Sequence, residues 1–337
     1  AGDAKPRVQA SSDALAHLDD RGTTTDRVAE PMPDLDDLSA FRDLAVQVAR
    51  AAGRMIREAH AQRAGGGDGG ELSVAVESKG SEQGAPAAEA SVDLVTATDK
   101  ACEELIIGTI RERFPKHCFI GEESTFAGGG AADAPLELGE QPTWIIDPLD
   151  GTTNFVHGYW PVTVSIGLAV RGELVLGVIF NPLLDEMCVA TKGGGATLNG
   201  RPIRVGGAAG VGEALVVNNL GASRNPAMNT LATARIGALL QASLRGLRNS
   251  GSAAQNMIDV AAGRLDAYFE DGFGGPWDVA AGYVIVHEAG GVFRDHLGGP
   301  FTLRAGKGQV LCGNAAVVED IARVLRSVEP GGGQARG

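Results

Sequence analysis

Aromatic side chains make up only 5% of this 337-residue chain, which excludes an aromatic-rich recognition surface. Positive charge is also short. Lys and Arg number 29 against 42 Asp and Glu, for a net charge of −13, so no basic face is available for nucleic acid or an anionic membrane. The four cysteines, Cys102, Cys118, Cys188 and Cys312, form no C-x-x-C pair. A chain of this size needs no disulfide staples, and they read as reduced, mostly buried thiols. No apolar run reaches the roughly 18 residues of a membrane-spanning helix, and no apolar signal core follows Ala1. The expected compartment is the cytoplasm, with a plastid after removal of a targeting peptide as the alternative.

What is present is an ordinary globular composition, 44% hydrophobic and 21% charged, with an abundance of glycine at 49 residues. Residues 1–33 are polar and aperiodic and read as a disordered tail, 34–330 as one catalytic domain, and 331–337 as a flexible C-terminal tail. Leu38, Phe41, Leu44, Ala45, Val48, Ala52, Met55, Ile56 and Ala59 lie on one helical stripe. Gly65–Gly70 breaks the chain, and Ser81–Ala90 reads as a flexible loop. Thr98 or Asp99 is expected to cap a second helix carrying Cys102, Leu105, Ile106, Thr109 and Ile110 and ending by Pro115. Short buried strands are expected at His117–Gly121 and Thr143–Asp147. An antiparallel block follows over Pro161–Val170, Glu173–Asn181 and Glu186–Thr191, with Asn199-Gly200 the strongest hairpin signal. The last third alternates: strand 213–219, helix 226–242, strand 245–249, helix 253–262, strand 264–269, helix 278–289 and a helix near 315–327. Strands followed by alternating units imply a layered α/β architecture with a mixed sheet.

The segment Trp144-Ile145-Ile146-Asp147-Pro148-Leu149-Asp150-Gly151-Thr152-Thr153 carries the most chemistry. A buried strand is expected to stop at Pro148, with Asp147 and Asp150 projecting from its end into one space. Like charges so placed raise one another's pKa, and a divalent cation resolves the conflict; oxygen ligands select Mg2+ or Mn2+ over zinc. Gly151-Thr152-Thr153 opens a helix or turn whose free N–H groups suit an anion. Asp-Pro-x-Asp-Gly also reads as a plain turn, and Asp99 and Asp278 each as a plain N-cap. Glu122-Glu123 directly after an apolar strand, and Asp278 at the head of an apolar helix, shift the balance: acids at separate junctions fit one site. His157 reads as a structural or surface residue, Trp144, Trp160 and Trp277 as packing near the site, Gly193-Gly194-Gly195 as a turn, and Glu103-Glu104 as a solvated outer face.

Glu122-Glu123, Asp147-Pro148-Leu149-Asp150-Gly151-Thr152 and Trp277-Asp278-Val279-Ala280-Ala281-Gly282 resemble the three signatures of the inositol monophosphatase family, and Val92–Asp99 resembles its upstream motif. The likeness runs from about Asp34 to Val328. It implies a layered αβαβα sandwich with mixed sheets, of the inositol monophosphatase and fructose-1,6-bisphosphatase type, usually a homodimer. It also implies a lithium-sensitive phosphatase using two or three Mg2+ ions. At matching positions Glu122, Asp147 and the Leu149 carbonyl hold the first ion, Asp147, Asp150 and Asp278 the second, and Glu122 helps hold a third. Asp99 and Thr152 orient and deprotonate water, and Gly151 and Thr152 grip phosphate. Gly251, Ser252, Ala253 and Glu270 meet the polyol hydroxyls. Catalytic roles thus fall to Asp99, Thr152 and Glu122.

The implied partner is a small phosphorylated polyol or sugar: myo-inositol 1-phosphate first, L-galactose 1-phosphate or histidinol phosphate as alternatives. Lys79 is the candidate for the family's mobile-loop lysine, and Phe273-Gly274-Gly275-Pro276-Trp277 resembles plant-type members. A bisphosphate substrate would need a basic cluster where Glu270 stands. A catalytically silent metal-binding or interaction protein is disfavoured by the complete set of acids and Thr152.

Overall fold

Apolar periodicity carries directly into the structure, a computed structural model that describes residues 38–65, 89–127, 136–220 and 225–329. The tail 1–33, Lys79, residues 81–88 of the expected loop and the tail 331–337 lie outside the described residues.

Helix α1 (Ser39–Gly65) buries Phe41, Ala45, Val48, Ala52 and Ile56, the expected stripe. Helix α2 (Glu89–Arg113) begins well before Thr98, so the expectation that Thr98 or Asp99 caps it is overturned. The physical reason is that its buried stripe extends upstream, with Val95 in helical register with Cys102, Ile106 and Ile110. Asp99 is therefore a buried carboxylate in a helix interior, not a cap.

The first sheet has seven strands in chain order: β1 (Cys118–Gly121), β2 (Thr143–Asp150), β3 (Thr163–Val170), β4 (Glu173–Asn181), β5 (Glu186–Thr191), β6 (Gly195–Leu198) and β7 (Arg201–Pro202). β1 and β2 run parallel and the remainder form an antiparallel meander. The β6–β7 turn places Asn199 at φ 49° and Gly200 at φ 75°, the two positive values a type I′ hairpin requires. Gly193 and Gly195 lie in the expected β5–β6 turn and donate their N–H groups to Glu288, both at 2.8 Å.

Five strands make the second sheet: β8 (Leu215–Asn218), β9 (Gly246–Asn249), β10 (Ala267–Phe273), β11 (Val292–Arg294) and β12 (Gly308–Gly313), in the order β11-β12-β10-β8-β9. β10 pairs parallel with β8 and antiparallel with β12, so the sheet is mixed. Among the described residues the remaining α-helices are α3 (Glu122–Ala127), α4 (Thr152–His157), α5 (Pro226–Gln241), α6 (Ala253–Ala261), α7 (Pro276–Glu288) and α8 (Ala315–Arg326).

Strand alternation assigns the layers. On β8, β10 and β12, Val217, Tyr268, Val310 and Cys312 face a core shared with α6 and α7. Val216, Phe269 and Leu311 face the opposite way, onto Leu239 of α5 and Ile321 and Leu325 of α8. α1 and α2 cover the other side of the first sheet, and α7 lies between the sheets. Gly167 of β3 permits that close packing, since a Cβ there would stand 3.0 Å from Ala280 Cβ. The sequence of layers is αβαβα, as expected. Cys102, Cys188 and Cys312 are buried free thiols, Cys118 an exposed one. Among the described residues, no helix is long and apolar enough to cross a membrane.

Candidate active site

The acidic residues meet because β2 does not end where Pro148 was expected to stop it. The strand runs on to Asp150, with a register shift between Asp147 and Asp150. Asp147 pairs with Ser165 and Asp150 with Thr163, so two residues on β2, Pro148 and Leu149, oppose one on β3, Val164. That bulge absorbs the proline, which has no N–H for the ladder, and resets side-chain alternation. Residues three apart on a regular strand face opposite ways; Asp147 and Asp150 instead share one face, as Ser165 and Thr163 do. The Leu149 N–H donates to Asp147 Oδ1 at 3.0 Å, and the Leu149 carbonyl accepts from Thr152 Oγ1 at 3.4 Å.

Gly151 turns the chain from β2 into α4 at φ 90°. A Cβ there would lie 2.5 Å from the Pro161 carbonyl oxygen, so glycine is required for both conformation and space. Asp150, 8% exposed, meets the start of α6: the N–H groups of Ala253 and Ala254 donate to it at 3.2 and 3.0 Å, and the Ser252 hydroxyl donates as well. Thr163 Oγ1 adds a bond at 3.0 Å. The donors from Ser252, Ala253 and Ala254 sit at the positive end of the α6 dipole. Burial raises the Asp150 pKa, and the four hydrogen bonds restrain the rise.

Asp147 is 2% exposed. Its pKa stands well above the usual carboxylate range, first because of burial and then because of the charges of Glu122, Asp150, Asp278 and Asp99. Glu122 is the first residue of α3. Asp278 lies in the first turn of α7; its N-cap is Gly275, and the Asp278 carboxylate takes the Gly274 N–H. Burial, then Glu122, Asp150 and Glu270, push its pKa well up. Five acids from α2, α3, β2 and α7 thus act on one another electrostatically.

Glu270 occupies β10 just before a second bulge, between Glu270 and Phe273. It accepts from Asn219 Nδ2 at 2.9 Å and from the Tyr268 hydroxyl. Burial above all pushes its pKa to about 7. Asn219 Oδ1 in turn accepts the Gly251 N–H at 3.0 Å and Asn256 Nδ2 at 3.1 Å.

Some expectations change. Glu103 is not solvated: it is 5% exposed and its carboxylate accepts the N–H groups of Glu123 and Ser124, both at 2.9 Å. Trp160 is 39% exposed and does not pack inside, whereas Trp144 and Trp277 do; His157 is exposed, as expected. Sequence reasoning missed Thr163, Asn219, Tyr268 and Glu103 as partners of the acids. Only Tyr268, on the same strand two residues from Glu270, had a sequence signal.

The donor set suits a hard divalent cation: mutually repelling carboxylates plus one carbonyl, with Asp147 and Asp150 buried and Glu122 and Asp278 half-buried. Among the described residues, no three His, Cys, Asp or Glu side chains form a ready-made cage. Asp150 and Asp278 are turned toward backbone N–H groups instead.

A sequence profile of the inositol monophosphatase family matches residues 37–329. The chain is 46% identical to inositol monophosphatase 2 of Solanum lycopersicum, over 80% of this chain and 92% of that protein. It is 41% identical to inositol monophosphatase 1 of Bos taurus, over 85% and 94%. Among solved structures, the inositol monophosphatase of Anabaena (Nostoc) superposes with a TM-score of 0.66 at 33% identity, covering 87% of this chain and 98% of that one. The Thermotoga maritima IMPase gives 0.67 at 28% identity, covering 86% and 98%. With its layers, its bulged acidic strand and these likenesses, the chain belongs to the inositol monophosphatase family, hydrolases of phosphoric monoesters.

Proposed function

We propose that this chain hydrolyses myo-inositol 1-phosphate to myo-inositol and phosphate, with Mg2+ as the resident cofactor. The observation carrying the reading is Asp147, a carboxyl only 2% exposed whose pKa is raised first by its burial and then by the charges of Glu122, Asp150, Asp278 and Asp99. In a chain of net charge −13, an anionic ester needs a source of positive charge beside those acids.

Glu122, Asp147, the Leu149 carbonyl, Asp150 and Asp278 would hold the ions. When bound, such cations would supply electrostatic stabilisation of the charge that develops during an in-line displacement at phosphorus. Asp99, buried in α2, and Thr152, at the head of α4, orient the attacking water, and Asp99 takes its proton. The N–H groups of Gly151 and Thr152 face the phosphate. Glu270, with the Gly251, Ser252 and Ala253 segment, reads the hydroxyls of the ring. No covalent nucleophile is required, since positioning and electrostatics carry most of phosphoryl transfer. The curated relatives named inositol monophosphatase support the substrate, and a homodimer in solution is part of the same proposal.

L-galactose 1-phosphate is the second substrate to test, because Phe273-Gly274-Gly275-Pro276-Trp277 resembles plant-type members. Phosphate release from myo-inositol 1-phosphate, L-galactose 1-phosphate and histidinol phosphate, each with and without Mg2+, tests the proposal. The inositol ester is expected to give the highest kcat/KM and no release without the ion. Preference for either other ester would replace the substrate, and equal turnover in EDTA would remove the cofactor.

A further inference from the structure

A carboxylate outside the acidic cluster is bound to the backbone that carries Glu122. Glu103 lies one helical turn after Asp99 on α2, on the same face. Burying a carboxylate is costly unless donors satisfy it. Here two do: the N–H groups of Glu123 and Ser124, the second and third residues of α3. Both bonds are charge-assisted.

The residue before Glu122 is fitted to the same group. A Cβ on Gly121 would stand 2.5 Å from Glu103 Oε2, so only glycine lets the carboxylate close in. Glu122 is therefore flanked by two backbone positions in contact with Glu103, Gly121 and Glu123. A six-residue helix has little stability of its own, because its nucleus is costly, so the shape of this first turn depends on an outside anchor. The anchor is α2, a 25-residue helix that also carries Asp99. One rigid element thus fixes both Asp99 and the turn on which Glu122 is mounted.

We propose that Glu103 is a positioning residue that sets the divalent-cation affinity of the site by holding the turn that presents Glu122. The inference rests on Glu122 being a cation ligand, as proposed above. Glu103 touches neither substrate nor ion in this account. Glu103→Gln keeps the shape and offers one acceptor oxygen, but turns an NH2 group toward the other N–H. The ligand then loses its orientation while the acidic cluster keeps all of its charges.

The test titrates Mn2+ alone into the full chain and follows free Mn2+ by electron paramagnetic resonance. Wild type, Glu103→Gln and Glu122→Gln are compared, with melting temperatures measured in EDTA. Glu103→Gln is expected to weaken Mn2+ binding by about tenfold, the low end for groups that orient metal ligands. Its kcat at saturating Mg2+ should stay within about twofold of wild type, since the tenfold loss lies in affinity. A purely structural role would lower the melting temperature and leave the Mn2+ dissociation constant of the folded protein unchanged; that result overturns the proposal. Unchanged binding in Glu122→Gln would instead remove the underlying ligand assignment. Should Glu103→Gln not fold, Gly121→Ala displaces the same carboxylate: weakened Mn2+ binding there supports the proposal, and unaltered binding rejects it.

Discussion

The Ser252 hydroxyl donates to the Asp150 carboxylate across 102 residues of sequence, and the same oxygen accepts the Gln255 N–H at 3.1 Å as the cap of α6. One side chain closes a helix and fixes an acid of the site. Ser252→Ala removes both bonds. Loss of such a cap costs about 1 kcal/mol, and the loss of a donor to a buried carboxylate adds about 1–3 kcal/mol. Urea unfolding in EDTA measures the sum, and the Mg2+ concentration for half-maximal activity should rise. A variant unfolding at the wild-type midpoint would deny this linkage.

Glu270 makes the metal-free protein sensitive to pH. Its folded pKa is raised, so the folded state holds its proton more tightly than the unfolded chain does. That contribution is fully present below the unfolded pKa and is lost as pH climbs from 4.5 to about 7. The displacement corresponds to about 3 kcal/mol, and the raised pKa values of Asp147 and Asp278 act in the same direction. In EDTA the melting temperature should therefore fall between pH 5 and pH 8, and Glu270→Gln should fall less steeply. A melting temperature that rises over that range contradicts the account.

Under the proposed function, Glu270 also sets substrate choice, through a different property. Asn219 and Tyr268 hold the Glu270 carboxylate, and Asn219 joins it to the Gly251 N–H. Glu270→Ala should change the ratio of kcat/KM values for myo-inositol 1-phosphate and L-galactose 1-phosphate by about tenfold or more, the worth of a group that hydrogen-bonds a substrate hydroxyl. Mn2+ affinity should remain at the wild-type level. Collapse of metal binding in this variant would reassign Glu270 to the cation site.

Much of this was legible in local sequence. The α1 stripe, the spans of β4 and β5 and the Asn199-Gly200 hairpin agree with their patterns, because each pattern is local and repetitive, whereas the αβαβα layering came from the family resemblance. Asp147 and Asp150 were legible as a pair, but the bulge that makes them share a face was not, since Pro148 alone signals a stop. The early start of α2 was hidden by Val95, Thr96 and Thr98, β-branched residues that depress helix propensity but are overridden by packing. β11 is three residues long and its ladder partner is the more distant β12, so a local window carries little of its signal. Glu103 was misread for the same reason: its partners, Glu123 and Ser124, lie 20 and 21 residues away.

Gly151 tests how tightly the turn from β2 into α4 is specified. Gly151→Ala meets a positive φ, costing about 1–2 kcal/mol, and a clash with the Pro161 carbonyl oxygen at 2.5 Å. Activity is expected to fall by about a hundredfold, the cost of roughly an ångström of misplacement at a reacting centre, with the fold retained by circular dichroism. Wild-type turnover would show that the turn has slack.

The most direct measurement is the number of Mn2+ ions bound per chain, by equilibrium dialysis, in wild type and Asp147→Asn. The account predicts more than one ion bound to wild type and a clear loss in the variant, because Asp147 is the acid on which the charges of Glu122, Asp150, Asp278 and Asp99 converge. Equal Mn2+ binding by the two proteins would contradict it.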